Sequence, residues 1–224
     1  MKNIEKLLIL LCLGCIIASC AKDNYDAPNS FLSGKIVFEG TPLNLRGTGG
    51  AVGLQLYQHG YDYFNPINVF VGQDGSFSAT LFDGDYLLVK RDGNGPWVNS
   101  RDSLKISVKG NTAVDLDVTP FFMISDDNIS MNGSKINASF TINQIVNTAK
   151  ISNVLLLLNN TQFVDDINNI FRKEYSDLSV GPVDIEADIS NNTGVTNAKA
   201  LFGRVCVWTE GADQGIYSEI VHLK

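Results

Sequence analysis

Chemistry needs polarisable groups at workable spacing, and this 224-residue chain offers few. It has two histidines, His59 in a loop-like stretch and His222 near the C-terminus, with no HExxH spacing between potential ligands. No GxSxG elbow, phosphate-cradling glycine loop or Cys–His pairing is present. Carboxylates are plentiful, and hydrolysis of a glycosidic bond needs only two of them across a cleft. Asp83 and Asp85 flank Gly84, Asp165 and Asp166 are adjacent, and Asp126-Asp127-Asn128 could contribute to a calcium site. The first pair reads more simply as a solvated turn, the second as acidic partners of a helix start, and the third lacks the spaced ligands of a dedicated loop. The residues predict neither an enzyme nor a cofactor.

A binding surface has more to draw on. The stretch YQHGYDYFNP (57–66) places Tyr57, Tyr61, Tyr63 and Phe64 in and around a glycine-containing loop, and Trp97 follows in GNGPW. Sugar rings present apolar C–H faces, on which tyrosine or tryptophan can stack while hydrogen-bonding the hydroxyls at the edge. Tyr61, Tyr63, Phe64 and Trp97 are therefore the candidate glycan contacts. Taken singly, Tyr57, Phe64 or Trp97 reads first as a cap on a sandwich core; the density of the cluster keeps the binding reading alive.

These residues need elements to hold them, and the dominant pattern is period-two alternation. DSLKISVKG sets Leu104, Ile106 and Val108 on one face, and Ser103, Lys105, Ser107 and Lys109 on the other. GKIVFEG, VGLQLYQ, INVFVG, SFSATLF, DYLLVK and VDLDV are strand-like in the same way, and Asp74-Gly75 signals a hairpin. This predicts a first β-sandwich over 31–120, ending at Thr119-Pro120 because proline cannot continue a central strand. A second sandwich is expected over 121–224. In it KINASFTIN and VDIEADI alternate, and VLLLLN (154–159) reads as a central strand covered on both faces. In FVDDINNIFRKEY, Phe163, Ile167, Ile170 and Phe171 fall at helical spacing, so a short helix is expected there. The expected class is all-β, two consecutive sandwiches with one short helix.

The N-terminus carries an address. Residues 7–18, LLILLCLGCIIA, form an apolar run that would span roughly 18 Å as a helix, short of a bilayer core of roughly 30 Å. Lys2 and Lys6 precede it and Ala18-Ser19 lie just before Cys20, the layout of a signal peptide over 1–19. Ile17-Ala18-Ser19-Cys20 resembles the bacterial lipobox, whose cysteine is acylated, and 20–30 then reads as a lipidated tether. Cleavage removes Cys12 and Cys15; with Cys20 lipidated, Cys206 in RVCVW has no disulfide partner and reads as a buried core thiol. The remaining chain has 15 basic and 23 acidic residues, and no basic patch that would suit nucleic acid.

DNYDAPNSFLSGKIVFEG, VGQDGSFSATLFDGDYLLVK, GNGPWV and VKGNTAVDLDVTPF together resemble a family of Bacteroidetes outer-membrane lipoproteins, domain-of-unknown-function family 3823. That resemblance implies a prealbumin-like or carboxypeptidase-regulatory-like first sandwich and an immunoglobulin-like or fibronectin-like second one. It also implies a setting in polysaccharide-utilisation loci, beside a TonB-dependent transporter and its glycan-capturing lipoprotein partner. No catalytic residue is carried over. Lys22-Asp23 resembles the export signal that sends such lipoproteins to the cell exterior, though Asn24 stands where a second acidic residue is usual. Asp102-Ser103-Leu104 resembles a three-residue O-glycosylation motif of these bacteria.

Overall fold

The computed structural model describes residues 26–58, 60 and 65–224. Cys20, His59, Tyr61, Tyr63 and Phe64 lie outside the described residues, as do the signal peptide and Lys22-Asp23.

The chain folds as two sandwiches. The first contains β1 (Ser30–Phe38), β2 (Thr41–Pro42), β3 (Gly53–Gln58), β4 (Ile67–Phe70), β5 (Ser76–Leu81), β6 (Gly84–Lys90), β7 (Ser103–Val108), β8 (Asn111–Ala113) and β9 (Leu116–Asp117). β1 is the spine of one sheet, pairing antiparallel with β2 and β5 and parallel with β8 and β9. The facing sheet is antiparallel in the order β4-β3-β6-β7. Leu32 and Ile36 from β1 meet Leu54, Leu56, Leu88 and Ile106 from the other sheet in one buried layer. Removing such side chains from water drives this packing, at about 1.5–3 kcal/mol for each large aliphatic.

The hairpin expected at Asp74-Gly75 is a tight turn with another purpose. Gly75 has φ 74°, and the amide of Gly72 donates to the Ser76 carbonyl at 2.7 Å. The flanking strands belong to different sheets, joined only by a Val71–Phe77 bridge, so the turn carries the chain across the sandwich.

The second sandwich contains β10 (Phe122–Asn132), β11 (Lys135–Gln144), β12 (Ile151–Asn159), β13 (Phe171–Tyr175), β14 (Gly181–Asp188), the helical turn α1 (Thr193–Thr196), β15 (Phe202–Thr209), β16 (Ile216–Tyr217) and β17 (Val221–His222). The sheet β10-β11-β14 packs on β13-β12-β15-β16, with β17 also on β15. Ile136, Ala138, Phe140 and Ile142 face Val154, Leu156 and Leu158, as the alternation predicts. The other face of β12 is covered too. Leu155 and Leu157 are fully buried with Val164, Cys206 and Tyr217.

The predicted helix in 163–175 is corrected. Residues 163–170 form a loop, and Phe171–Tyr175 is the edge strand β13 on β12. The Asp165 carboxylate accepts the amides of Ile167 and Asn168 at 3.0 and 2.7 Å, and the Asn169 side chain donates to two nearby carbonyls. Such local bonds compete with a helical ladder. The helical stripe is also split, since Phe163 and Ile167 stay exposed while Ile170 and Phe171 pack against the core. The short helix is α1 instead, capped by Asn192, whose side chain accepts the Val195 amide at 2.9 Å.

Candidate functional site

The outward face of β3, β6 and β7 carries a ladder of three cross-strand rungs. Gln55, Val89 and Ser103 form the first; Tyr57, Leu87 and Lys105 the second; Asp85 and Ser107 the third. Partners directly opposite lie about 4.5–5.5 Å apart at Cβ, so each rung is a continuous strip. Tyr57, Leu87 and Val89 are half-buried, whereas Asp85, Ser103, Lys105 and Ser107 are exposed. The Tyr57 hydroxyl donates to the Gln55 side-chain oxygen at 3.2 Å. A cleft of ≈ 590 Å³ runs over this face, lined by Asp85, Leu87, Ser103, Lys105 and Ser107 among others. Tyr57 and Val89 stand beside this cleft on the same face rather than in its lining. An apolar strip edged by charged and hydroxyl groups can hold a ligand that is itself apolar on its faces and polar at its edges.

The ladder follows from sequence. In DYLLVK, Tyr86 and Leu88 point into the core, so Leu87 and Val89 must point out. Apolar residues at both parities of an antiparallel strand mark an apolar outer face, which period-two alternation alone does not register. Tyr57 was visible as part of the aromatic cluster, but its place beside Leu87 depends on strand register.

The carboxylates paired in sequence lie in different surroundings. The Asp83 carboxylate is hydrogen-bonded to the Ser30 hydroxyl and accepts the Gly110 amide at 3.2 Å. The Ser30 contact, then the Gly110 amide, hold its pKa below the ordinary carboxylate value. Asp85 belongs to the ladder instead. Asp126 and Asp127 sit in a bulge of β10, where Asp126 has φ 54°. Burial, with Glu219 and Asp126 close by, pushes the Asp127 carboxyl above its ordinary value. Among the described residues no group of three acidic, histidine or cysteine side chains is placed to hold a metal.

Asp165 and Asp166 bind the two sandwiches together. Asp165 accepts the Thr48 amide at 3.0 Å, and Asp166 pairs with Arg46 at 3.1 Å and accepts the Tyr217 hydroxyl at 2.5 Å. Arg204, fully buried on β15, donates to the carbonyls of Leu45 and Val164 at 3.3 and 3.2 Å and twice to that of Ser218. Burial lowers its pKa to about 10. Asp213 adds a second clamp, accepting the Gly95 amide at 2.9 Å and the Asn94 side chain at 3.0 Å.

Trp97 is only 3% exposed and packs into the common core, with its backbone bridged to Pro120. Its buried indole offers no face to a sugar: the ring fills the base of the first sandwich where the chain passes into the second. Cys206 is fully buried and unpaired, and burial pushes its thiol pKa up. His222 is exposed and stacks on Phe202 at 4.7 Å. Ser103 stands exposed at the start of edge strand β7. No helix among the described residues is long and apolar enough to cross a membrane.

Family models match both halves of the chain. Residues 30–119 match the N-terminal domain of DUF3823, a protein of unknown function, and residues 122–222 match the domain of unknown function DUF3823_C. A solved DUF3823 family protein from Parabacteroides merdae is 59% identical with a TM-score of 0.86, covering 89% of this chain and 100% of its own. A second, from Bacteroides ovatus, is 32% identical with a TM-score of 0.79, covering 87% and 98%. A "putative carbohydrate binding protein" from Bacteroides uniformis shares the fold at 14% identity, with a TM-score of 0.72 and coverage of 88% and 100%. No curated protein matches this chain.

Proposed function

Because the chain belongs to the DUF3823 family across both of its sandwiches, we propose that it is a glycan-binding accessory lipoprotein, anchored at the cell surface and presenting glycan to an outer-membrane uptake system. The observation that carries this reading is the outward ladder of Tyr57, Leu87 and Lys105 with its rungs on either side. Leu87 gives the cleft an apolar floor for the C–H face of a sugar ring, and its rung partner Tyr57 and neighbour Val89 extend that apolar strip beside it. Lys105, Ser103, Ser107 and Asp85 give donors and acceptors for its hydroxyls. The description of the B. uniformis relative as carbohydrate binding supports the same class of ligand.

The anchored, outward-facing setting is supported by the sequence: a short apolar run, small residues and Cys20, then Lys22-Asp23. The expected partners are a TonB-dependent transporter and its glycan-capturing lipoprotein. We read the protein as non-catalytic, since Asp83 is tied to Ser30 and Gly110 while its neighbour Asp85 faces the ladder.

A second reading has its own support. The buried Arg204 and the Asp165–Asp166 contacts make the two sandwiches one body, a property suited to a spacer or docking module with no ligand. Affinity electrophoresis in gels containing plant or host polysaccharides separates the two. Retardation by a polysaccharide supports glycan binding. Free migration in every gel, with a transporter co-purifying from detergent-solubilised cells, supports docking. Protease added to intact cells tests the address, and failure to cleave the protein would place it inside.

A further inference from the structure

Two exposed aromatic rings stand where the chain enters the first sandwich. Phe31 and Phe82 are each 43% exposed. Phe31 is paired with Thr80 across the β1–β5 ladder, whose last pair is Ser30–Leu81. Phe82 is the next residue, and alternation puts it on the outer side with Phe31 and Thr80, diagonal neighbours within roughly 7–8 Å. This is the outer face of the opposite sheet from the Tyr57 ladder.

The mounting is rigid. The Phe31 amide donates to the Gly110 carbonyl at 2.9 Å, and the Phe82 carbonyl accepts the Tyr86 hydroxyl at 3.0 Å. Between them the Asp83 carboxylate and the Ser30 hydroxyl bind each other, and the Gly110 amide reaches both. Single exposed apolar residues are ordinary on protein surfaces. Here two neighbouring phenylalanines are fixed on a hydrogen-bonded frame, close to where the segment after Cys20 enters the first sandwich.

We propose that Phe31 and Phe82 form a membrane-contact surface that seats the anchored protein against lipid. This rests on the lipid-anchor reading of Cys20. Nine residues lie between Cys20 and Ser30, so the contour from one to the other is at most roughly 36 Å. That tether keeps the end bearing Phe31 and Phe82 at high effective concentration over the bilayer. Phenylalanines on interfacial surfaces bury their apolar area roughly 5–10 Å into the boundary between headgroups and acyl chains. Seated so, the molecule has a fixed orientation, with the Tyr57 ladder, on the opposite sheet, facing away from the bilayer.

The test uses nitroxide labels on Phe31→Cys or Phe82→Cys in the acylated protein, on vesicles of phosphatidylethanolamine and phosphatidylglycerol. Acylation blocks Cys20 and burial protects Cys206, so the new thiol takes the label. Contact predicts that both labels become more accessible to oxygen than to a water-soluble nickel chelate. A label at Phe163→Cys, exposed on the second sandwich, should keep the opposite order. If the protein floats with vesicles but labels 31 and 82 stay open to the chelate, the contact is overturned and the anchor stands. If the wild type and Cys20→Ala both fail to float, the anchor reading falls and takes this surface with it. Shielding that grows with protein concentration without vesicles would assign the face to a second copy instead.

Discussion

The guanidinium of Arg204 lies 4.5 Å over the ring of Tyr217 while donating to the Leu45 carbonyl in the other sandwich. One side chain thus ties β15 to the loop after β2, and its aromatic platform is itself bonded to Asp166. A buried cation is tolerable here because three carbonyls accept its hydrogen bonds and a π face lies under it.

Replacing Arg204 by Met leaves the carbonyls of Leu45, Val164 and Ser218 without this donor. At about 1–3 kcal/mol for each of the three orphaned groups, offset by the desolvation cost that the buried guanidinium no longer carries, a net loss of about 2–5 kcal/mol is expected. The wild type should unfold in urea in one transition, and Arg204→Met in two as the sandwiches uncouple. One unsplit transition at the wild-type midpoint would show that the seam does not depend on this residue.

Trp97→Ala should cost about 3–5 kcal/mol, the usual price of emptying an aromatic site in a core. Trp97→Phe should cost less. Glycan retardation by Trp97→Phe, measured well below its melting temperature, should equal that of the wild type. A selective loss of retardation with full stability would return the indole to the binding surface.

Much of this fold was legible before any coordinates. β7, β11 and β14 alternate without interruption, and the continuous apolar run of β12 carries its double burial openly. β10 was not legible, because the bulge at Asp126 breaks its alternation halfway. β13 was masked by helical spacing that the Asp165 and Asn169 bonds override. Arg204 could have been flagged: it shares a strand face with Cys206, which the reading already placed in the core. The ladder at Tyr57 needed register, which spacing within one strand cannot supply.

Asp127 offers a pH-dependent check. Its folded-state pKa is raised by burial and by Glu219, so its charge works against the fold above that value. The folded state then binds the proton more readily than the unfolded one, and stability falls as pH rises through the interval between the two pKa values. Asp127→Asn should raise the melting temperature at pH 7 and leave it unchanged near pH 3. A lower melting temperature at pH 7 would mean that the carboxylate makes a stabilising contact.

The most direct measurement is calorimetric titration of a retarding polysaccharide, or its oligosaccharides, into the wild type, Tyr57→Ala and Leu87→Asp. Tyr57→Ala should weaken binding by about tenfold, equivalent to about 1.4 kcal/mol. Leu87→Asp should abolish it, with both variants melting close to the wild type. Undiminished affinity in both variants, or no heat with any glycan in the wild type, would contradict the assignment of the β3–β6–β7 face as a glycan site.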